Sequence, residues 1–199
     1  MKFLIDGSPA KVAEKLAMHP SLVVGQLRTP LTSNQHWGGC YAIDNGAFTK
    51  FDERSFTALL SRSAPSHCLF VAAPDIPGAA QRTLELFAQR HRWIGEDWPV
   101  ALVAQDGIES LPIPWDEMDA VFIGGLDPWK DSRASLDVVK TAKILGKHVH
   151  VGRVNTPRRF NRFAEAGADT CDGSGVSRYD WMLEQIAKVH ACDLPLFEQ

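Results

Sequence analysis

The stretch HVHVGRVNTPRRFNRFAEAGADTCDGSG, residues 148–175, reads as one complete strand–helix–strand unit. His148–Val151 is a short run rich in β-branched residues. Pro157–Ala166 has helical spacing with proline in its first turn, and Gly167 stands where a helix closes. Ala168–Cys171 is strand-like again. The alternation continues outward. Strand-like runs occur at Phe3–Ile5, Leu22–Leu27, Tyr41–Ile43, Cys68–Ala72, Val100–Ala104 and Ala120–Ile123. Helical stretches occur at Ala10–Met18, Phe51–Arg62 (with Asp52 as its N-cap), Gly78–Trp93, Ser132–Leu145 (closed by Gly146) and Ser177–Val189. Arg28–Cys40 reads as a long loop in place of a helix, and Gly107–Met118, holding Pro112 and Pro114, as a helical fragment at most.

Apolar strands alternating with helices imply a parallel sheet covered on its faces. Eight such strands predict an α/β fold, a compact (β/α)8 TIM barrel with some shortened or missing helices. An open doubly wound sheet is the alternative. TIM barrels usually take about 250 residues. A chain of 199 residues therefore leaves room for one domain, residues 1–199, and for short loops only.

Composition is that of a globular protein, 45% hydrophobic and 23% charged, which excludes a mainly disordered chain. The net charge of −3 excludes a global electrostatic grip on nucleic acid, so any phosphate binding must come from a local patch. Cys40, Cys68, Cys171 and Cys192 have neither zinc nor disulfide spacing. No apolar run reaches the ~20 residues of a membrane span, and the N-terminal stretch lacks the pattern of a secretory signal. A reduced, cytoplasmic protein without a membrane segment is expected.

The residues following the strands carry the functional reading. They are Asp6-Gly, Asp44-Asn-Gly, Pro74-Asp75, Gln105-Asp-Gly, Gly124-Gly125, Gly152-Arg153 and Asp172-Gly-Ser-Gly. In a parallel α/β protein these ends converge on one rim, where ligands bind. Four carboxylates on one rim are costly unless something uses them. The chain has no phosphate-binding P-loop, no GxGxxG and no HExxH. By ligand type, Asp44, Asp75 and Asp172 could hold Mg²⁺. The other reading is two carboxylates at a sugar's anomeric carbon, one a nucleophile and one handling the leaving group's proton. Gln105 and the Gly125 backbone N–H would then read a purine edge.

At these residues a resemblance appears. YAIDNGAF (41–48), FVAAPDIPG (70–78), ALVAQDG (101–107), VFIGGLD (121–127) and AGADTCDGSG (166–175) resemble, in order, the motifs of the tRNA-guanine transglycosylase (queuine tRNA-ribosyltransferase-like) superfamily. Those enzymes are TIM barrels that swap guanine in nucleic acid for a 7-deazaguanine through a covalent glycosyl-aspartate. The resemblance implies Asp172 as nucleophile, with Asp169 as the alternative, and Asp44 as the group handling a proton. It implies that Phe48 stacks on the base and that Asp75 pairs with its amine and ring N–H. Gln105, Gly124 and Gly125 would hold the carbonyl edge, with Leu126 against the ring. The chain departs from the family in lacking its C-terminal zinc module, in Asn45-Gly46-Ala47, and in Gly-Ser-Gly after Asp172. Compactness makes it similar to the deazapurine DNA-modification branch of phages and bacteria, so DNA is the favoured substrate over tRNA.

Arg153, Arg158, Arg159 and Arg162 form a local basic patch suited to phosphates. Trp37 and Trp129 are candidates for packing or for stacking on bases. One of His148 and His150 is expected to face the barrel interior. No cofactor is required. Three functions stay open: base exchange, hydrolysis of a nucleoside or nucleotide by the same carboxylates, and non-catalytic binding of a 7-deazaguanine. A homodimer or a partner subunit is allowed by the Trp-rich composition.

Overall fold

A computed structural model describes residues 1–192. Eight parallel strands close into a barrel in sequence order, which excludes the open sheet. The strands are β1 (Lys2–Ile5), β2 (Val23–Arg28), β3 (Tyr41–Ile43), β4 (Cys68–Ala72), β5 (Val100–Ala104), β6 (Ala120–Ile123), β7 (His148–Val151) and β8 (Thr170–Cys171). Closure is made by Lys2 and Phe3 pairing with Thr170 and Cys171. Around the sheet lie α1 (Pro9–Met18), α2 (Glu53–Ser61), α3 (Ala80–Arg90), α4 (Asp127–Lys130), α5 (Arg133–Ile144), α6 (Pro157–Glu165), α7 (Ser174–Arg178) and α8 (Asp180–Cys192).

Local signals account for most boundaries. Asp52 caps α2 by accepting from Ser55 N at 2.7 Å, and Thr156 caps α6 by accepting from Arg159 N at 3.3 Å. Gly146 and Gly167 adopt positive φ after α5 and α6, where a Cβ would be strained. No helix joins β2 to β3, and the segment after β5 holds only two 3₁₀ turns, Ile108–Ser110 and Trp115–Glu117. One expectation needs correction. The helix expected over Ser177–Val189 is two helices, because the chain leaves helical geometry at Tyr179 (φ −120°, ψ 118°) before α8 begins.

Two apolar cores follow from strand alternation. Phe3, Ile5, Val71, Leu102, Val121, Val149 and Cys171 point outward to the helices. Leu4, Leu27, Ala42, Phe70, Val103 and Phe122 fill the barrel interior. Among the described residues no helix is long and apolar enough to cross a membrane.

Candidate active site

The parity that sends Leu4, Leu27, Ala42, Val103 and Phe122 inward also carries Asp6, Thr29, Asp44, Gln105, Gly124 and Asp172 to the carboxyl-end mouth. There a cavity of about 190 Å³ is walled by Asp6, Asp44, Phe48, Asp75, Gln105, Gly124, Arg153 and Asp172, with Phe122 and Val103 forming its floor. Asp6, given no role beyond the rim by its sequence context, is a full member of this wall. Its Oδ1 is buried and, among the described residues, accepts no hydrogen bond.

Asp172 is held from two sides. The backbone N–H of Arg153 donates to Oδ1 (3.2 Å) and His150 Nε2 donates to Oδ2 (3.0 Å). His150 is fully buried, and burial lowers its pKa, so the ring is neutral and its tautomer follows from its partners. With the proton on Nε2, Nδ1 accepts from Thr170 Oγ1 (2.9 Å), which in turn accepts from His148 Nε2 (2.8 Å). Both histidines therefore face the interior. The expectation that only one would do so fails because residues two apart on a strand share a face. Asp169 lies elsewhere: its carboxylate pairs with Lys143 Nζ (2.7 Å) and accepts from Val149 N (2.8 Å), near the amino ends of β7 and β8. Of the two acids in Gly-Ala-Asp-Thr-Cys-Asp, only Asp172 reaches the cavity.

Asp44 sits opposite. Burial, then the charges of Asp172 and Asp75, push its pKa up to about 7, against backbone hydrogen bonds from Gly46 N (3.2 Å) and Asn45 N. It is thus a carboxyl that exchanges a proton near neutrality. Asp75 forms a planar acceptor edge. Asn45 Nδ2 donates to its Oδ1 (2.7 Å) and Gln105 Nε2 to its Oδ2 (2.7 Å), while burial raises its pKa to about 6. Gly78 N fixes Gln105 by donating to Oε1 (2.8 Å). Asn45 is the residue that sequence reasoning passed over: it is buried, and its Nδ2 also donates to Ala73 O (2.6 Å) while its Oδ1 accepts from Ala47 N (2.7 Å).

Several expected contacts are corrected. The N–H groups of Gly124 and Gly125 both donate to Ala104 O (3.0 and 3.1 Å), so neither can hold a base's carbonyl. Their carbonyls accept from Arg153 Nη2 (3.0 and 2.5 Å). Gly125 and Leu126 are set back from the cavity wall, and Leu126 N donates to Asp106 Oδ1 (2.7 Å). Packing is what demands glycine here: a Cβ on Gly124 would lie 2.5 Å from Val103, and one on Gly125 2.3 Å from the Trp129 ring. Phe48 is 60% exposed at the mouth, with the Arg153 guanidinium 4.2 Å from its ring centroid. Arg153 adopts a positive φ of 61°, uncommon for a side-chain-bearing residue, to reach both partners.

The basic patch is largely consumed within the fold. Arg159 grips both carboxylate oxygens of Asp131 (2.9 and 3.2 Å) and also Asp127 (3.3 Å). Arg162 donates to the carbonyls of Asp131 (2.9 Å) and Ser132 (2.7 Å). Arg158 alone of the four is exposed. Trp129 is buried with its Nε1 on Glu109 (2.9 Å), and Trp37 donates to Cys40 O (2.8 Å), so both serve packing. Among the described residues no three His, Cys, Asp or Glu side chains converge to hold a metal ion, leaving Asp44, Asp75 and Asp172 without the geometry of a Mg²⁺ site. No family model and no curated protein matches the chain.

Proposed function

We propose that the barrel exchanges a purine base at a glycosidic carbon, replacing guanine in nucleic acid, DNA in the first instance, with a 7-deazaguanine. The observation that carries this reading is the division of labour among the carboxyls. Asp172 accepts hydrogen bonds from His150 and the Arg153 backbone, Asp44 titrates near neutrality, and Asp75 with Gln105 presents a flat hydrogen-bonding edge. Asp75 keeps a lone pair on each oxygen for an amine and a ring N–H, and Gln105 Nε2 keeps one proton for a carbonyl. Together these match a guanine-like edge.

In the first step an Asp172 oxygen bonds to C1′ as the C1′–N9 bond breaks, and its electron pair leaves with the base. Asp44 supplies the proton that neutralises the departing guanine. In the second step Asp44 takes back a proton from N9 of the incoming deazaguanine, which displaces Asp172 from C1′. The glycosyl ester conserves the bond energy, so no further reactant is consumed. A small cavity opening at the barrel mouth accepts one flipped or single-stranded base rather than a duplex.

The test is covalent trapping. Wild-type protein incubated with single-stranded DNA should give an adduct of protein plus nucleic acid by mass, and Asp172→Asn should fold without giving it. An adduct in Asp172→Asn would discard the assignment. Nucleoside mass analysis with and without added deazaguanine separates exchange from hydrolysis.

A further inference from the structure

We propose that the polar groove on the outer side of β2 and β3, lined by Arg28, Arg62, Tyr41, His36 and the serines of 61–66, binds a phosphate-type oxyanion anchored by Arg28. This site stands apart from the cavity at the barrel mouth and does not rest on the base-exchange reading.

The groove exists because of a missing element. In a (β/α)8 barrel a helix covers the outer face of each strand pair. Between β2 and β3 the chain supplies only the 29–40 loop, and Arg28, opposite in parity to the inward Leu27, projects into the uncovered space. Arg28 is 5% exposed, yet it makes no ion pair among the described residues. Its Nη1 donates to Ser63 Oγ (2.5 Å), and its Nε is buried with no acceptor. The Tyr41 ring lies 5.8 Å from the guanidinium carbon, and the Tyr41 hydroxyl is committed to Ala64 O.

A buried charge is normally paired, since desolvation is otherwise uncompensated. Here the second charge at the groove is another cation. Arg62 is exposed at its edge and disfavours the Arg28 cation further. Two guanidiniums with no carboxylate beside them among the described residues create demand for an anion. Ser61 and Ser63 donate their hydroxyl protons to Ala58 O (3.1 Å) and Leu59 O (2.7 Å), which leaves the Ser66 hydroxyl and the guanidiniums as the donors that face the groove. The unpaired Arg28 Nε–H, the Arg62 guanidinium and the Ser66 hydroxyl face the groove from different sides, and two positive charges there suit a tetrahedral dianion better than a singly charged planar carboxylate. His36 closes the opposite wall, its ring edge-on to Tyr41 at 4.5 Å.

The experiment is a titration of the full chain with inorganic phosphate, followed by ¹H–¹⁵N NMR against sodium chloride of matched ionic strength. Saturable shifts of the Arg28 Nε–H and of the 61–66 amides are expected, with a Kd of about 1 mM or tighter. Arg62→Gln, a surface change, should weaken binding several-fold. Arg28→Met should abolish it, and the fold should survive because the charge removed has no partner to strand. A single-stranded oligonucleotide without terminal phosphates forms the second arm. Competition with phosphate for the same signals assigns the site to a phosphodiester backbone. Response to inorganic phosphate alone assigns it to a free or terminal phosphate. Shifts that match chloride, fail to saturate, or persist unchanged in both Arg28→Met and Arg62→Gln would overturn the proposal.

Discussion

Asp172 shows how much one residue owes to its neighbours. Its position after an apolar strand marks it as a rim carboxylate, and the family resemblance prefers it to Asp169 three residues earlier without excluding Asp169. Lys143 holds Asp169 at 2.7 Å, away from the cavity that Asp172 lines. His150 then determines how Asp172 is presented, through a donor that no motif announces. Replacing His150 with Phe keeps a ring against Phe70 and Phe122, whose centroids lie 4.8 and 4.6 Å away, but removes the proton given to Asp172 Oδ2. His150→Phe should lower kcat for base exchange roughly 10–100-fold, the equivalent of the ~1.5–3 kcal/mol of a hydrogen bond to a charged group. The KM for the incoming base should change little, because Asp75 and Gln105 are untouched. A loss confined to the folded fraction, with kcat per folded molecule intact, would make His150 a packing residue only.

At the scale of elements, the strands were legible and the connections less so. Strand positions follow from apolar runs that only a sheet interior satisfies, and caps such as Asp52 act within one turn. The Gly-Ser-Gly after Asp172 was legible only as a departure from a family pattern. Its cause is a close approach of two backbones: a Cβ on Gly173 would lie 2.3 Å from Val154 O, in the loop that leads into α6. Val154 N also donates to Asp172 O (2.6 Å), so that loop cannot retreat without disturbing the backbone of Asp172 itself. Gly173→Ala should cost about 1–3 kcal/mol, the range of overpacking strain, read as a shift in the urea midpoint. A neutral midpoint would show that the loop yields freely. Lys143 and Asp169 tie α5 to β8 from the other end of the barrel, so the two rims are held by different kinds of bond.

The molecule as a whole stores opposed titrations. Asp44 is pushed to about 7 and Asp75 to about 6, from an ordinary 3.8. The folded state therefore keeps protons that the unfolded chain releases, and this contribution to stability is lost as pH rises from about 4 to 7. His148 is pushed down to about 4 from 6.5, and His150 is lowered too. The folded state refuses protons that the unfolded chain takes up, so this contribution is lost as pH falls from about 6.5 to 4. The two slopes oppose each other, and wild-type stability should vary little across that window. Asp44→Asn removes one acid from the balance. The variant should gain on wild type by a few kcal/mol at pH 8 and by much less at pH 4, measured by urea denaturation. An equal difference at both pH values would mean that Asp44 titrates as an ordinary carboxyl.

Closure of the strands in sequence order came from the tertiary structure, whereas strand count and the arrival of Asp6, Asp44, Asp75, Gln105 and Asp172 at one rim were determined by the sequence alone. Those features depend on short-range pattern: apolar runs set the strands, alternation sets the faces, and parallel connection puts every carboxyl end on the same side. Tertiary structure alone decided which polar groups remain available. Asn45 binding Asp75, Ala104 O taking the Gly124 and Gly125 amides, Asp131 holding Arg159, and Arg28 left without a counter-ion among the described residues all depend on groups distant in sequence. A donor or acceptor is identified by its residue type, but whether it is already spent depends on geometry, and that geometry exists only once the barrel has closed.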